Sequence, residues 1–244
     1  MNHRRLVIDM GNTRQKMGIF EEDELVHSET VFPDQSTSGL WESWKLMCEP
    51  DQIGLSSTVI LSEVQQSWID KNKVIQVNAN LNFPFQILYK TPETLGQDRL
   101  AAVSAVYTLY SGKNVLVIDC GTCITYDFLT SDGHYIGGNI APGIRMRLQS
   151  MYDYTDRLPL VDLPDQVTLL GQSTEEALQN GALGMAIMEA KGLIFYLREK
   201  YGHLTTVLTG GDLRYFENQL SGAYEVHADL VLSGLNEILK NNEI

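Results

Sequence analysis

Cysteine is scarce, with three residues in 244 and an odd number at that. Three thiols cannot make a paired disulfide framework, and they fit a reducing compartment, so a cytoplasmic location is expected. Cys120-Gly-Thr-Cys123 has the spacing of a metal or redox pair. Only Cys48 exists besides, however, which excludes a four-cysteine zinc site. The histidines (His3, His27, His134, His203 and His227) are scattered without ligand spacing. Positive charge is also short: 18 Lys and Arg stand against 31 Asp and Glu, for a net charge of −13. So acidic a chain lacks the basic face that nucleic acids and anionic membranes require, and neither is expected as a partner. Long hydrophobic runs are missing too. After the basic start the apolar run is only Leu6 to Ile8, too short for a signal-peptide core, and nothing approaches a membrane-spanning length. What remains is a chain that is 43% hydrophobic and 20% charged, with ample core for one large or two small domains.

The most informative feature present is a repeat. LVIDMGNT, from Leu6 to Thr13, recurs 110 positions later as LVIDCGTC, from Leu116 to Cys123, with five of eight residues identical. Each copy is an apolar run long enough for one buried strand, ending in Asp-x-Gly. A repeat on this scale implies two related halves facing each other. Gly11 and Gly121 let backbone N–H groups approach an anion, and Asn12, Thr13 and Thr122 add donors. Asp9 and Asp119 cannot bind phosphate themselves, so each is expected to hold a cation that does. Two such loops would grip a nucleotide triphosphate from both sides.

The periodicity predicts strands over Arg5–Met10, Lys16–Glu21, Glu24–Val31, Thr58–Ser62, Val74–Val77 and Gln86–Tyr89 in the first half. Helices are predicted over Gly39–Cys48, Gln65–Asn72 and Gln97–Tyr110. The second half repeats the order, with strands Val115–Cys120, Ile124–Leu129 and Tyr135–Ile140, then a helix from Pro142 to Tyr152. Thr174–Tyr201 reads as one long helical stretch opened by Ser173-x-x-Glu176. Its Gly181, Ala182, Gly184 and Ala186 read as a small-residue face that invites close packing. A strand at Thr206–Thr209 and a helix at Ala228–Lys240 complete the chain. The expectation is a duplicated α/β fold, divided into residues 1–113 and 114–244.

Three further motifs carry two readings each. Thr209-Gly210-Gly211 follows a strand, where backbone can lie along an adenosine or phosphate; equally, Asp212 can cap a helical turn there. Gly96-Gln97-Asp98-Arg99 opens a helix. Asp98 can orient a hydroxyl and Arg99 can fork onto a carboxylate or phosphate, or the two simply complement the dipole and face solvent. Gly137-Gly138-Asn139-Ile140-Ala141-Pro142-Gly143 implies either a close backbone approach or a bulge and turn. Trp41, Trp44 and Trp68 are expected in the core or at an interface.

The order of motifs resembles the type III pantothenate kinases. It runs Asp9-x-Gly11-Asn12-Thr13, Gly96-x-Asp98-Arg99, Asp119-x-Gly121-Thr122-x-x-Thr125, Gly137-Gly138-x-Ile140-x-Pro142-Gly143, Gly171-x-Ser173-Thr174 and Thr209-Gly210-Gly211. The resemblance spans Leu6 to about Leu239. It implies the duplicated ribonuclease-H-like fold of the actin, hexokinase and acetate kinase superfamily, with a cleft between two similar halves. It implies ATP-dependent phosphorylation of the primary hydroxyl of pantothenate, the first step of coenzyme A biosynthesis. It further implies magnesium, a monovalent cation (K⁺ or NH₄⁺) and a homodimer with a shared active site. By this resemblance Asp9, Gly11, Asn12, Thr13 and Lys16 form the first phosphate loop, with Asp9 holding magnesium through water. Gly121, Thr122, Gly210 and Gly211 contact ATP, and Asp119 ligates the monovalent cation. Tyr89, Gly96, Gln97, Asp98 and Arg99 line the pantothenate pocket, Asp98 accepts the proton, and Thr174 reaches the pocket of the other subunit. His227-Ala228-Asp229-Leu230 departs from the family, where a Pro before the Asp is more usual. A kinase for another small alcohol on the same scaffold, or a regulatory factor without catalysis, are the competing readings.

Overall fold

The computed structural model describes residues 3–32, 38–164, 167–217, 219–220 and 224–243. It divides into two compact units: Met1–Gly112 with Asp132–Gly137 and Asp229–Ile244, and Lys113–Ser131 with Gly138–Ala228. In the first unit, β1 (Arg4–Met10), β2 (Gln15–Glu21) and β3 (Glu24–Val31) form an antiparallel meander. Helix α1 (Ser38–Cys48) then leads to β4 (Gln52–Ser57), which pairs parallel to β1. Helix α2 (Glu63–Lys71) connects to β5 (Ile75–Gln76), giving the sheet order β3-β2-β1-β4-β5. Strand β6 (Gln86–Ile87) and helix α3 (Gln97–Leu109) follow.

Strand β1 is hydrogen-bonded on both edges and covered on both faces, which is why it reads as a continuous apolar run. Leu6 and Ile8 sit on the face that carries Met17, Ile19, Ile53 and Leu55, against Trp41, Trp44 and Trp68. A real capping box starts α2: the Ser62 hydroxyl accepts from Gln65 N–H while the Gln65 side chain accepts from Ser62 N–H. The predicted strand at Thr58–Ser62 is therefore a correction. Its β-branched residues suggested pairing, yet the ladder to β1 uses Gln52–Ser57, and Ile60 is 99% exposed in the connection.

The second unit reuses the plan. Strands β7 (Val115–Cys120) and β8 (Cys123–Leu129) pair antiparallel, and β9 (His134–Pro142) lies beside β8. The start of β9 belongs to the first unit, where His134 and Tyr135 pair with β6. After α4 (Ile144–Asp153), the stretch Thr174–Tyr201 is continuous helical backbone in three parts. These are α5 (Thr174–Gln179), a π-helical turn over Asn180–Gly184, and α6 (Met185–Tyr201). β10 (Thr205–Thr209) pairs parallel to β7 and β11 (Glu225–Val226) parallel to β10. The order β9-β8-β7-β10-β11 thus matches β3-β2-β1-β4-β5 strand for strand.

The last helix, α7 (Leu230–Asn241), packs on α3 and over the second face of the first sheet. Gly18 and Gly54 leave the room: a Cβ at Gly54 would lie 3.1 Å from Leu239 Cγ, and one at Gly18 3.2 Å from Leu232 Cδ1. The first segment of the first unit ends at Gly112, and two later segments, Asp132–Gly137 and Asp229–Ile244, join it. The grouping of the last helix with the second half does not hold, because its apolar face is buried against α3, β1 and β4. Among the described residues no helix is long and apolar enough to cross a membrane.

Where α3 and α7 cross, a Cβ on Gly234 would run into the Ala101 carbonyl. Alanine is the better helix former by about 1 kcal/mol, but forced separation of two packed helices costs about 1–3 kcal/mol. Gly234→Ala is therefore expected to lower the urea midpoint, whereas a midpoint at or above wild type would show that the crossing tolerates a methyl group.

Candidate active site

The end of β1 delivers Asp9 to the top of the first sheet. The ladder sets Lys16 of β2 opposite it on one side and Ser56 of β4 on the other. The turn beyond is tight: Gly11 N–H donates to Arg14 C=O at 3.0 Å, and Asn12 and Thr13 are exposed at its tip. Lys16 Nζ lies 2.8 Å from Asp229 Oδ1 at the start of α7. Asp9 is pushed up from an ordinary 3.8 to about 7. Desolvation is the largest cause and the like charge of Asp98 the next, opposed by the Ser56 hydroxyl and the Lys16 ammonium. Asp9 and Asp98, 89 positions apart in sequence, therefore belong to one electrostatic cluster in the first unit.

Asp98 enters that cluster from the first turn of α3. Gly96 is the N-cap residue, and a Cβ there would come within 2.6 Å of Asp98 Oδ1. The same carboxylate oxygen accepts from Arg99 N–H at 2.8 Å. Gln97 turns the other way, its Oε1 accepting from Ser57 N–H at 2.8 Å, which ties the helix start to the end of β4. Arg99 is buried, with its guanidinium carbon 5.9 Å from the centre of the Tyr89 ring. Gly137, at φ +110°, makes space for that ring: a Cβ would lie 2.7 Å from Tyr89 Cδ2. The close approach predicted for the Gly137 motif is thus made by Tyr89. Tyr89, Gly96, Gln97, Asp98 and Arg99 are gathered around the start of one helix.

In the second unit Asp119 is the penultimate residue of β7, with Thr125 opposite on β8 and Thr209 opposite on β10, the counterpart of Asp9 with Lys16 and Ser56. Gly121 N–H donates to Cys123 C=O at 3.0 Å and Gly143 N–H to Thr122 C=O at 3.1 Å, while Thr122 itself is exposed. Gly210, at φ +94°, lies against the Asp119 carboxylate and the Cys120 carbonyl, where a Cβ would collide with both. Asp212 N–H donates to Cys120 C=O at 2.8 Å, so Gly210-Gly211 is pinned onto the phosphate-loop candidate rather than capping a regular helix. Cys120 is buried in the core. Burial first, then the charges of Asp119 and Asp212, push its thiol well above the ordinary range, so it stays neutral and is no thiolate ligand.

Among the described residues no three His, Cys, Asp or Glu side chains converge on a metal-sized site. Magnesium keeps several waters and takes one or two carboxylates plus substrate phosphates. The Asp9 carboxylate, crowded by Asp98, is a suitable donor for such an ion. Thr174 is exposed at the first turn of α5. Of the small-residue face expected on the long helix, Gly181 is exposed while Ala182, Gly184 and Ala186 are buried, with Ala182 and Ala186 packed among Leu178, Leu183 and Ile187 of their own unit. The large apolar side chains exposed on α6 are Met185, Met188, Phe195 and Tyr196, beside the charged Glu189, Glu199 and Lys200. Sequence reasoning passed over Ser56 and, though it named Asp229, missed its pairing with Lys16. The first sits in a bland Ser-Ser pair, and the second meets Lys16 only through tertiary folding.

A family model for type III pantothenate kinase matches residues 5–195. A type III pantothenate kinase of Phocaeicola vulgatus is 41% identical, with 98% of each chain covered. The solved structure of a conserved Campylobacter jejuni protein, described as belonging to the Baf family of transcriptional activators, superposes with a TM-score of 0.63. It is 23% identical and covers 97% of this chain and 98% of its own. A ROK family glucokinase of Streptomyces griseus, solved with glucose and AMPPNP, is 11% identical at a TM-score of 0.52, covering 97% and 98%. With the strand order used twice, these likenesses show the duplicated ribonuclease-H-like fold of the actin-like ATPases.

The raised Asp9 carboxyl has a consequence for stability. A folded-state value of about 7 against an unfolded value near 3.8 means that the native state binds the extra proton between those limits, so stability falls as pH rises from 4 to 7. In metal-free buffer, Asp9→Asn should stabilise the fold by up to about 4 kcal/mol at pH 8 and by less than half that at pH 5. Equal gains at both pH values in urea titrations would refute the shifted carboxyl.

Proposed function

The chain belongs to the type III pantothenate kinase family, and we propose that it transfers the γ-phosphoryl group of ATP to the primary hydroxyl of pantothenate, giving 4'-phosphopantothenate, the first step of coenzyme A biosynthesis. The observation that carries this reading is the coupling of Asp98, at the start of the helix bearing the acceptor-pocket residues, to Asp9 of the phosphate loop. A kinase needs that pairing, because its acceptor hydroxyl and its phosphate must meet.

Phosphoryl transfer through a loose transition state asks for placement and charge compensation more than for a strong base. An alcohol is far less acidic than a carboxylic acid, so Asp98 does not pre-ionise it; it orients the hydroxyl and accepts the proton late. Lys16 and the N–H groups around Gly11 meet negative phosphate oxygens. Thr122 and the Gly210-Gly211 backbone contact the nucleotide. Arg99, packed on Tyr89, offers a fork to the pantothenate carboxylate. Asp9 would hold magnesium and Asp119 a monovalent cation, and such ions, when bound, would neutralise charge on phosphate. An acidic chain needs such cations to accept ATP.

The working form is a homodimer in which Thr174 of one subunit completes the pantothenate pocket of the other. Support comes from the exposure of Thr174 and of Met185, Met188 and Phe195 farther along the same helical stretch.

Three measurements test the scheme. Asp98→Asn should keep the fold and lose about 10²–10⁴-fold in turnover; wild-type turnover would remove Asp98 from proton transfer. Phosphate transfer from ATP to pantothenate should rise with potassium or ammonium over sodium, and Asp119→Ala should abolish the difference. Equal rates in all three salts would contradict the assignment of Asp119. Finally, mixing Asp98→Asn with a Thr174-blocked protein should restore activity, because one pocket of the heterodimer then carries both defects and the other neither. A fully active monomer by sedimentation would defeat the shared pocket.

A further inference from the structure

Asp229 occupies the N-cap position of α7, where an Asp side chain ordinarily accepts a hydrogen bond from the first turn of its own helix. It makes no such bond. Its carboxylate turns instead to Lys16, with Oδ1 2.8 Å from Nζ, and both side chains are partly shielded, 35% and 25% exposed. The helix forgoes its cap and the lysine gains an anchor.

We propose that Asp229 is a positioning residue for phosphoryl transfer, which fixes the Lys16 ammonium beside Asp9 so that it meets the nucleotide phosphates in one place. The proposal rests on the reading of Lys16 as the phosphate-binding lysine. A lysine is a point charge on a flexible four-carbon stem, so its backbone position alone does not place its charge. The β1–β2 ladder fixes the Lys16 backbone opposite Asp9, and Asp229 fixes the other end of the side chain. The anchor is itself rigid, because α7 is locked to α3 by the close contact at Gly234. Simple attraction does not account for the arrangement: a second carboxylate makes the surroundings of Lys16 more negative and so opposes an anionic nucleotide. What Asp229 contributes is placement, and a charge misplaced by an ångström costs about 10²-fold in rate.

The test is a mutant cycle on the full chain, with ATP and pantothenate and ADP release as the readout. Asp229→Ala should lower kcat by about 10–100-fold and leave the KM for pantothenate unchanged. Asp229→Asn, which keeps an oxygen acceptor for the ammonium and is isosteric, should recover most of the loss. In a Lys16→Met background, Asp229→Ala should cost nothing further, because its effect runs through the lysine. Wild-type kcat in Lys16→Met would overturn the phosphate-lysine reading and this proposal with it. An impaired Lys16→Met with an unimpaired Asp229→Ala would overturn the proposal alone. So would losses that multiply in the double variant, since they would mark a structural role for Asp229, or a fall in the KM for ATP without loss of kcat, which would mark a charge effect.

Discussion

A strand paired on both edges and covered on both faces has no place for a charge except at its end. That constraint organises this protein. Leu6, Val7 and Ile8 are fully buried, as are Val115, Val117 and Ile118 to within 1%, and the first acidic residue of each run, Asp9 or Asp119, falls one residue before its strand ends. The neighbours at that end are then fixed by pairing: Lys16 and Ser56 around Asp9, Thr125 and Thr209 around Asp119. Both aspartates stand directly after the apolar run of their strand.

The two ends are not equivalent. The first carries a lysine where the second carries a threonine, and the first is electrostatically joined to another carboxylate from a helix start. The second is instead crowded by backbone, with Gly210 and Gly143 each so close to a neighbouring carbonyl that a side chain cannot fit. Duplication thus gave one frame twice, and the residues flanking each Asp gave the copies different work. The first gathers side-chain charge, and the second presents main-chain dipoles.

Much of this was legible in the sequence. The repeat announced the duplication, and the apolar runs located β1 and β7. The Ser173 cap was read from Ser173-x-x-Glu176, whereas Ser62, which caps α2, was placed in a strand. The site motifs were found because glycine and aspartate after a buried strand have few purposes. What was not legible follows from tertiary packing. Thr58–Ser62 looked like a strand because β-branching is a local signal, while pairing with β1 is not. The small residues of the long helix looked like an interface, but composition does not say which side a helix buries. Asp229 was invisible as a partner of Lys16, because an ion pair between the second strand and the last helix leaves no periodic trace.

The return of α7 to the first unit bears on the order in which the molecule can be assembled. The first sheet has all of its strands once residue 76 has been made, and α3 once 109 has, but the helix that covers Gly18, Gly54 and Ala101 comes last. A chain emerging from the ribosome therefore carries a first unit with one face bare throughout synthesis of the second. The second unit, Lys113–Ser131 with Gly138–Ala228, is complete before the first can close. Folding is thereby made vectorial in reverse: the half that begins the chain is the half that finishes last.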